Sequence, residues 1–410
     1  MKFAHLADIH IGSWRDPKMK ALGLQSFIYA VDYCIVEAVD FVLISGDIFN
    51  TAMPGLDLLK DVTIKLRQLK DKGIPVYIIA GSHDFSVSGK TMLDVLEEAG
   101  LWMNVLKGSV DEGKRLKLDF TIDLKTGAKI TGMLGKAGTL EKSYYGLLAR
   151  DHLESEDGFK IFMFHSAINE YMPQDLAMMD SMPLSFLPKR FNYYAAGHVH
   201  YVFQKQEPGY GLIAFPGPLF PCNFREMENL GHGSFNIIEK VEQGLKLTRI
   251  PVELHESSLL SFDCDRKNPE QVNLLLSGSI PLDCRDRIFL LKFNGRLSSG
   301  RISDIRIKEF ADSLYAGGAY FVMRSTSALS SPQFEEIRTK ASSVEQIEDD
   351  VLREHSGSFP MDLSGPETDF SRRMLSILSA ERLDGEKASD FEERIDKETR
   401  GFLNSLGLLR

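Results

Sequence analysis

Apolar runs of strand length alternate with segments of helical period through the first hundred residues. "KFAHLAD", "FVLISGD" and "PVYIIAG" read as buried strands, separated by helices near 18–38, 56–72 and 89–100, a βαβαβ rhythm. Further on, "LKLDFTIDLKTGAKITGML" folds back on a Thr-Gly turn, and "KIFMFH", "YYAAGH" and "GLIAFPG" are three more strands. The pattern predicts a layered α/β domain over residues 1–257. Residues 258–326 change rhythm to a small strand, helix and strand unit: "IFLLKFNG", "ISDIRIKEFADSLYA" and "AYFVMRS". A Ser-, Gly-, Pro- and acid-rich stretch at 327–366 predicts a linker. Apolar stripes in 367–410, Phe370, Met374, Leu375, Ile377 and Leu378, then Phe391, Ile395, Phe402, Leu403 and Leu406, predict a helical pair.

Composition narrows the class. At 43% hydrophobic residues, the 410-residue chain has ample material for cores. No apolar h-region follows the first methionine and no apolar run is long enough to span a bilayer, so the expected compartment is the cytoplasm, with nucleoid association when bound to DNA. The four cysteines are scattered without a CxxC pair, which argues against a zinc ribbon and for packing roles. A net charge of −10 disfavours nucleic acid on average, although local patches and bound divalent cations override an average.

The chemistry gathers where strands end. "ADIH" carries Asp8 and His10, "SGDIFN" carries Asp47 and Asn50, "AGSHD" carries Ser82, His83 and Asp84, "MFHS" carries His165, and "AAGHVHYV" carries His198 and His200. Each fragment alone is ordinary; a single HxH is usually a surface or core pair. Open α/β sheets collect ligands beyond the carboxyl ends of their strands, where all of these fall. On a strand, i and i+2 share a face, which predicts that Asp8 joins His10 and His198 joins His200. Two carboxylates and four imidazoles without a thiolate suit divalent manganese, iron or zinc. Asp47 is the natural bridge between two ions roughly 3.5–4 Å apart, which together would activate a water against phosphorus. His83 is left to donate a proton to the leaving oxygen or to steady the phosphorus, with Asp84 beside it to raise its basicity.

In this order of motifs the chain resembles the calcineurin-like metallophosphoesterases, and within them the archaeal Mre-eleven double-strand-break repair nucleases with their bacterial SbcD counterparts. The resemblance implies a layered β-sandwich metallophosphoesterase core flanked by helices, a small α+β capping domain at 258–326 and a C-terminal helical pair. It implies two manganese ions per chain, one on Asp8, His10, Asp47 and His200, the other on Asp47, Ser82, His165 and His198. It also implies 3′-to-5′ exonuclease activity and endonucleolytic cleavage of single strands and hairpins. Two positions depart from the family pattern. Ser82 stands where an asparagine usually offers an amide oxygen, and Asn50 stands where relatives often have Asp or His.

Between Arg285 and Glu309 seven basic residues face three acidic ones, and Arg285, Arg287, Lys292, Arg296 and Arg301 (with Asn50 near the site) form a candidate DNA-backbone track. The helix near 18–38 has a wider apolar stripe than one buried face needs, which fits two-sided burial or a homodimer with the helix near 89–100. The resemblance implies that the C-terminal pair docks on the coiled-coil root of a Rad-fifty-type ABC ATPase. Two other functions compete: a phosphomonoesterase or cyclic-nucleotide phosphodiesterase of the same fold, and a non-catalytic DNA-end-binding scaffold. The remaining histidines, His5, His152, His232, His255 and His355, carry no expected chemistry.

Overall fold

The computed structural model describes residues 1–84, 91–135, 140–173, 176, 179–332, 367–380 and 388–406. They form two compact units: one of Met1–Ser261, Ile280–Lys292 and Lys308–Ser325, the other of Phe262–Ser279, Phe293–Ile307 and Thr326–Arg410. The segment 258–326 contributes to both. The linker expected at 327–366 begins within a strand, Phe321–Ser330, and residues 333–366 lie outside the described ones.

The first unit is built on two six-stranded sheets. One runs Gly244–Val252, Gly233–Val241, Lys2–Leu6, Phe41–Ser45, Val76–Ile79, Met103–Asn104; the other runs Val202–Gln206, Leu212–Pro216, Tyr193–Gly197, Lys160–His165, Lys129–Met133, Thr121–Ile122. The central strands of both are parallel. Alternation assigns their faces. Phe3, Phe41, Leu43, Tyr77 and Ile79 from the first sheet pack with Ile130, Ile161, Met163, Tyr193 and Ala195 from the second, giving a core between the sheets. The opposite parity, Ala4, Leu6, Val42, Ile44, Val76 and Ile78, faces outward to helices Pro17–Val36, Leu56–Asp71 and Met92–Glu98. Phe162, Phe164, Tyr194 and Ala196 fill the matching outer layer of the second sheet. The expected β-sandwich core flanked by helices is the observed one.

Local chemistry sets the helix starts. Asp16 accepts from the amides of Lys18 and Met19 with Pro17 at the first position, and Thr91 and Asp94 form a capping box. The wide stripe of Pro17–Val36 serves two intramolecular clusters. Phe27, Ala30, Val31 and Cys34 face the sheet, and Met19 and Leu22 pack with Met227, Ile288, Leu290 and Met323. The antiparallel hairpin Gly233–Val252 went unread in the sequence, although Gly244, at φ 121°, turns it between two alternating runs.

Helices Glu367–Leu378 and Ala388–Ser405 occupy the expected C-terminal pair, with Phe370 stacked on Phe402 at 5.6 Å. No helix among the described residues is long and apolar enough to cross a membrane.

Candidate metal centre

Of the seven candidate ligands, only His165 lies on a strand, as the last residue of Lys160–His165. Its parity, two beyond Met163, turns it toward the space between the sheets. The i, i+2 argument for Asp8 with His10 is corrected by the structure. Their strand stops at Leu6, and both residues sit in the following loop in left-handed backbone, at φ 50° and 46°. Asp47 at 51° and His198 at 89° share that conformation. A non-glycine residue held there costs about 1–3 kcal/mol, and such strain concentrates at functional sites. Sharp turns, rather than strand alternation, aim these side chains inward.

The side chains converge closely. His10 Nε2 is 3.1 Å from His200 Nε2 and 3.6 Å from Asp47 Oδ2. His165 Nε2 is 3.2 Å from Asp47 Oδ2, out of hydrogen-bond alignment, and its Nδ1 is fixed 2.8 Å from the carbonyl oxygen of Ser45. Asp8 Oδ1 accepts the amide of His198 at 2.9 Å. His198, absent from the tight donor sets among the described residues, borders them with its ring 5.1 Å from that of His165. Ser82 reaches Asp47 Oδ2 only as a hydroxyl donor at 3.4 Å. Glycines make room: a Cβ on Gly81 would lie 2.2 Å from Asp47 Oδ1, and one on Gly46, already at φ 85°, 2.3 Å from His165 Nδ1.

Buried polar atoms normally find partners. Here Asp8 Oδ2, His10 Nδ1 and His165 Nε2 are buried with none. Among the described residues, donor sets lying within 4.8 Å are Asp8, His10 and His200; Asp8, Asp47 and His165; His10, Asp47 and His83; and, behind His200, the set His200, Cys222 and Glu226. Carboxylate oxygens and imidazole nitrogens without hydrogen-bond partners beside converging donors fit divalent cations. In the ion-free chain the protonation preferences are divided. Burial pushes His10 and His198 down to about 3, the neutral form a ligand needs, whereas against the same burial Asp47 holds His165 up to about 10 and Glu226 raises His200. Burial would raise Asp47, but the charge of His165, with His10 and the His83 amide, holds it well below the carboxylate range.

Asp84 takes a different part from the one expected. Its carboxylate accepts the amides of Asp47 and Gly81, each at 2.9 Å, and burial lifts it to about 6. It clasps the two loops that carry Asp47 and Ser82, while the partner of His83 is the Asn50 carbonyl, 3.0 Å from Nδ1. His83 stays exposed at the rim with its amide on Asp47 Oδ1 at 2.8 Å. The basic track is less free than its charge count suggests. Arg285 is 3.0 Å from Asp283, Arg287 2.9 Å from Glu256, Arg301 3.7 Å from Asp304, and Lys292 is bonded to Glu228. Arg296 is also engaged.

One residue beside the centre escaped the sequence reading. Glu226 sits 3.0 Å from His200 Nδ1; the available signal was an acid three places after the helix cap Asn223. Buried His5 lies beneath the centre, joined to Tyr193 and Ser45 at 2.8 and 3.1 Å and held down to about 3 by burial, without a place among the candidate ligands.

Residues 1–202 match the calcineurin-like phosphoesterase family. Among curated relatives, the chain is similar to the DNA double-strand break repair protein Mre11 of Methanococcus maripaludis, 30% identical over 49% of this chain and 52% of the relative. It is similar to the protein of that name from Archaeoglobus fulgidus at 26% over 56% and 52%. With the one from Methanocaldococcus jannaschii it shares 29% over 67% and 72%. The chain spans about half the length of the first two. The converging carboxylates and imidazoles lie in or directly beside the matched span, and the sandwich that carries them is the matched fold: residues 1–202 are a calcineurin-like metallophosphoesterase domain.

Proposed function

We propose that the protein is a manganese-dependent DNA nuclease, a 3′-to-5′ exonuclease and single-strand or hairpin endonuclease acting on broken ends. The observation that carries this reading is the meeting of Asp8, His10, Asp47, His165 and His200 from two sheets, three of them with a buried polar atom that has no hydrogen-bond partner. The similarity to archaeal break-repair proteins supports DNA as substrate over a small phosphomonoester.

Asp8, His10, Asp47 and His200 would hold one ion; Asp47, His165 and His198, with Ser82 nearby, would hold the other. When bound, the pair supplies Lewis acidity toward a phosphodiester and an activated water. The chain's own groups do the rest. Asp47 stands between the two donor sets, its position fixed by the His83 amide and the clasp of Asp84. His83, as an imidazolium, donates Nδ1–H to the Asn50 carbonyl and delivers its Nε2 proton to the leaving oxygen, which leaves the ring neutral. Gly46 and Gly81 keep the floor of the site narrow enough for these contacts.

The remaining assignments belong to the same proposal. Residues 258–326 guide duplex DNA, with Arg285, Arg287, Lys292, Arg296 and Arg301 exchanging their carboxylates for phosphates. Helices Pro17–Val36 and Met92–Glu98 pair two copies through exposed Tyr29, Val36 and Val95. Residues 367–410 dock on a coiled-coil ATPase, for which Leu375 and Leu378 remain exposed. The test is end-labelled duplex and hairpin DNA, plus a small chromogenic phosphate, incubated with the purified protein and manganese, magnesium or zinc. Cleavage of DNA with manganese supports the reading. Turnover of the chromogenic phosphate alone would select the phosphomonoesterase instead, and no turnover of either would select the scaffold.

A further inference from the structure

His200 is held unlike the other imidazoles of the centre. His165 gives Nδ1 to the backbone carbonyl of Ser45, His83 has that of Asn50, and His10 Nδ1 has no partner. Of these, His200 alone has a carboxylate within hydrogen-bond distance of Nδ1, Glu226 Oε1 at 3.0 Å, whereas Asp8 Oδ1 lies 4.0 Å from Nδ1 of His165; the Nε2 of His200 faces His10 Nε2 at 3.1 Å and Asp8 Oδ1 at 3.9 Å. Glu226 is itself fixed. Its Oε2 accepts the Cys222 amide at 2.8 Å, Oε1 also accepts the Asn223 side-chain amide, and its own N–H bonds Asn223 Oδ1 at 3.0 Å. A carboxylate locked by its own helix cap therefore faces the back of one ligand.

We infer that Glu226 is a positioning residue. It keeps the proton of His200 on Nδ1, presents a bare Nε2 to the cation, and makes the position at Asp8, His10 and His200 the tighter of the two. The inference rests on the metal-centre reading above and is independent of whether DNA is the substrate. Its physical basis is that a carboxylate behind an imidazole fixes the tautomer and raises the basicity of the coordinating nitrogen. At the other position the group behind His165 is a neutral backbone carbonyl, Ser45 O at 2.8 Å from Nδ1, and Ser82 offers a neutral hydroxyl already directed at Asp47. Charge and orientation are spent unequally on the two halves of the centre.

Glu226→Gln keeps the size of the side chain but leaves one acceptor oxygen where two were used. It cannot serve both His200 and the Cys222 amide, and a glutamine NH2 turned to Nδ1 would force the proton onto Nε2. Calorimetric manganese titration should show the tighter phase weakened by about 10–100-fold in Glu226→Gln, with the weaker phase little changed. In a His200→Ala background the same substitution should add no further loss, because the effect travels through His200. Unchanged affinity in Glu226→Gln, or an equal loss in the His200→Ala background, would overturn the assignment and leave Glu226 as a first-turn partner of the helix cap Asn223. A thermal melt of the metal-free variant reports whether it folds. If it does not, nitrogen NMR of histidine-labelled, metal-free wild type at alkaline pH decides: the Nδ1–H tautomer of His200 is expected, and the Nε2–H tautomer would sink the idea. DNA cleavage enters none of these measurements, so a failed nuclease reading and a failed role for Glu226 are told apart.

Discussion

The centre and the basic segment 285–309 are both rich in charge, and they treat it in opposite ways. In the centre, Asp8 Oδ2, His10 Nδ1 and His165 Nε2 are buried without hydrogen-bond partners, and four residues are held in left-handed backbone against one non-glycine residue, Asp286, in the basic segment. In the basic segment, charged groups stand in solvent and most already have a carboxylate beside them. A folded chain tolerates strain and bare polar atoms only where something else repays them. Exposed ion pairs cost little to make and little to break. Unmet demand marks a binding site more sharply than net charge does.

The most severe break of this contrast is Asp47→Ala, which removes the shared carboxylate. Elemental analysis should find both ions lost, and the rise in melting temperature that manganese gives wild type should vanish. For wild type at 100 times the dissociation constant that stabilisation is about 2.7 kcal/mol. His83→Ala comes next. It should abolish DNA cleavage while leaving metal content and the metal-dependent melting shift intact, since His83 lies at the rim; wild-type rates would show that it carries no proton. Ser82→Asn sharpens the comparison within the centre. An amide oxygen in place of a hydroxyl should tighten the weaker manganese phase by about tenfold or more. Calorimetry reads this, and identical second phases would mean that serine already suffices. The smallest effect is expected from Arg301→Ala, which should leave the melting temperature within about a degree of wild type. If Arg301 contacts a phosphate, the salt slope of DNA binding should fall by about one unit.

Much of this was legible because strand ends and ligand types are sequence features. The runs "FVLIS" and "KIFMFH" gave both the strands and the parity that points His165 inward. The aim of Asp8 and His10 was assigned to the right place for the wrong reason. Left-handed turns act where strand alternation predicts the aim, and although Asp and His adopt positive φ more readily than most residues, their presence alone does not announce it. Asp84 was misread because proximity in sequence to His83 suggested a pair, whereas the loop turns its carboxylate toward backbone amides 37 and 3 residues away. Glu226 was invisible for another reason. Its partner His200 is 26 positions distant, and a place in the first turn of a helix alone would explain an acid there. The partners of Lys292 and Arg287 are Glu228 and Glu256, which lie outside the basic segment 285–309.

The division of ligands between the two sheets has a kinetic consequence. Asp8, His10 and Asp47 follow strands of one sheet, and His165, His198 and His200 end or follow strands of the other, so the full ligand set exists only after the sheets have docked on their common core. Interactions that form after the rate-limiting barrier slow unfolding and leave the folding rate nearly untouched. Bound cations would therefore act on this fold as a latch set after closure, lengthening the lifetime of the native state without hastening its arrival.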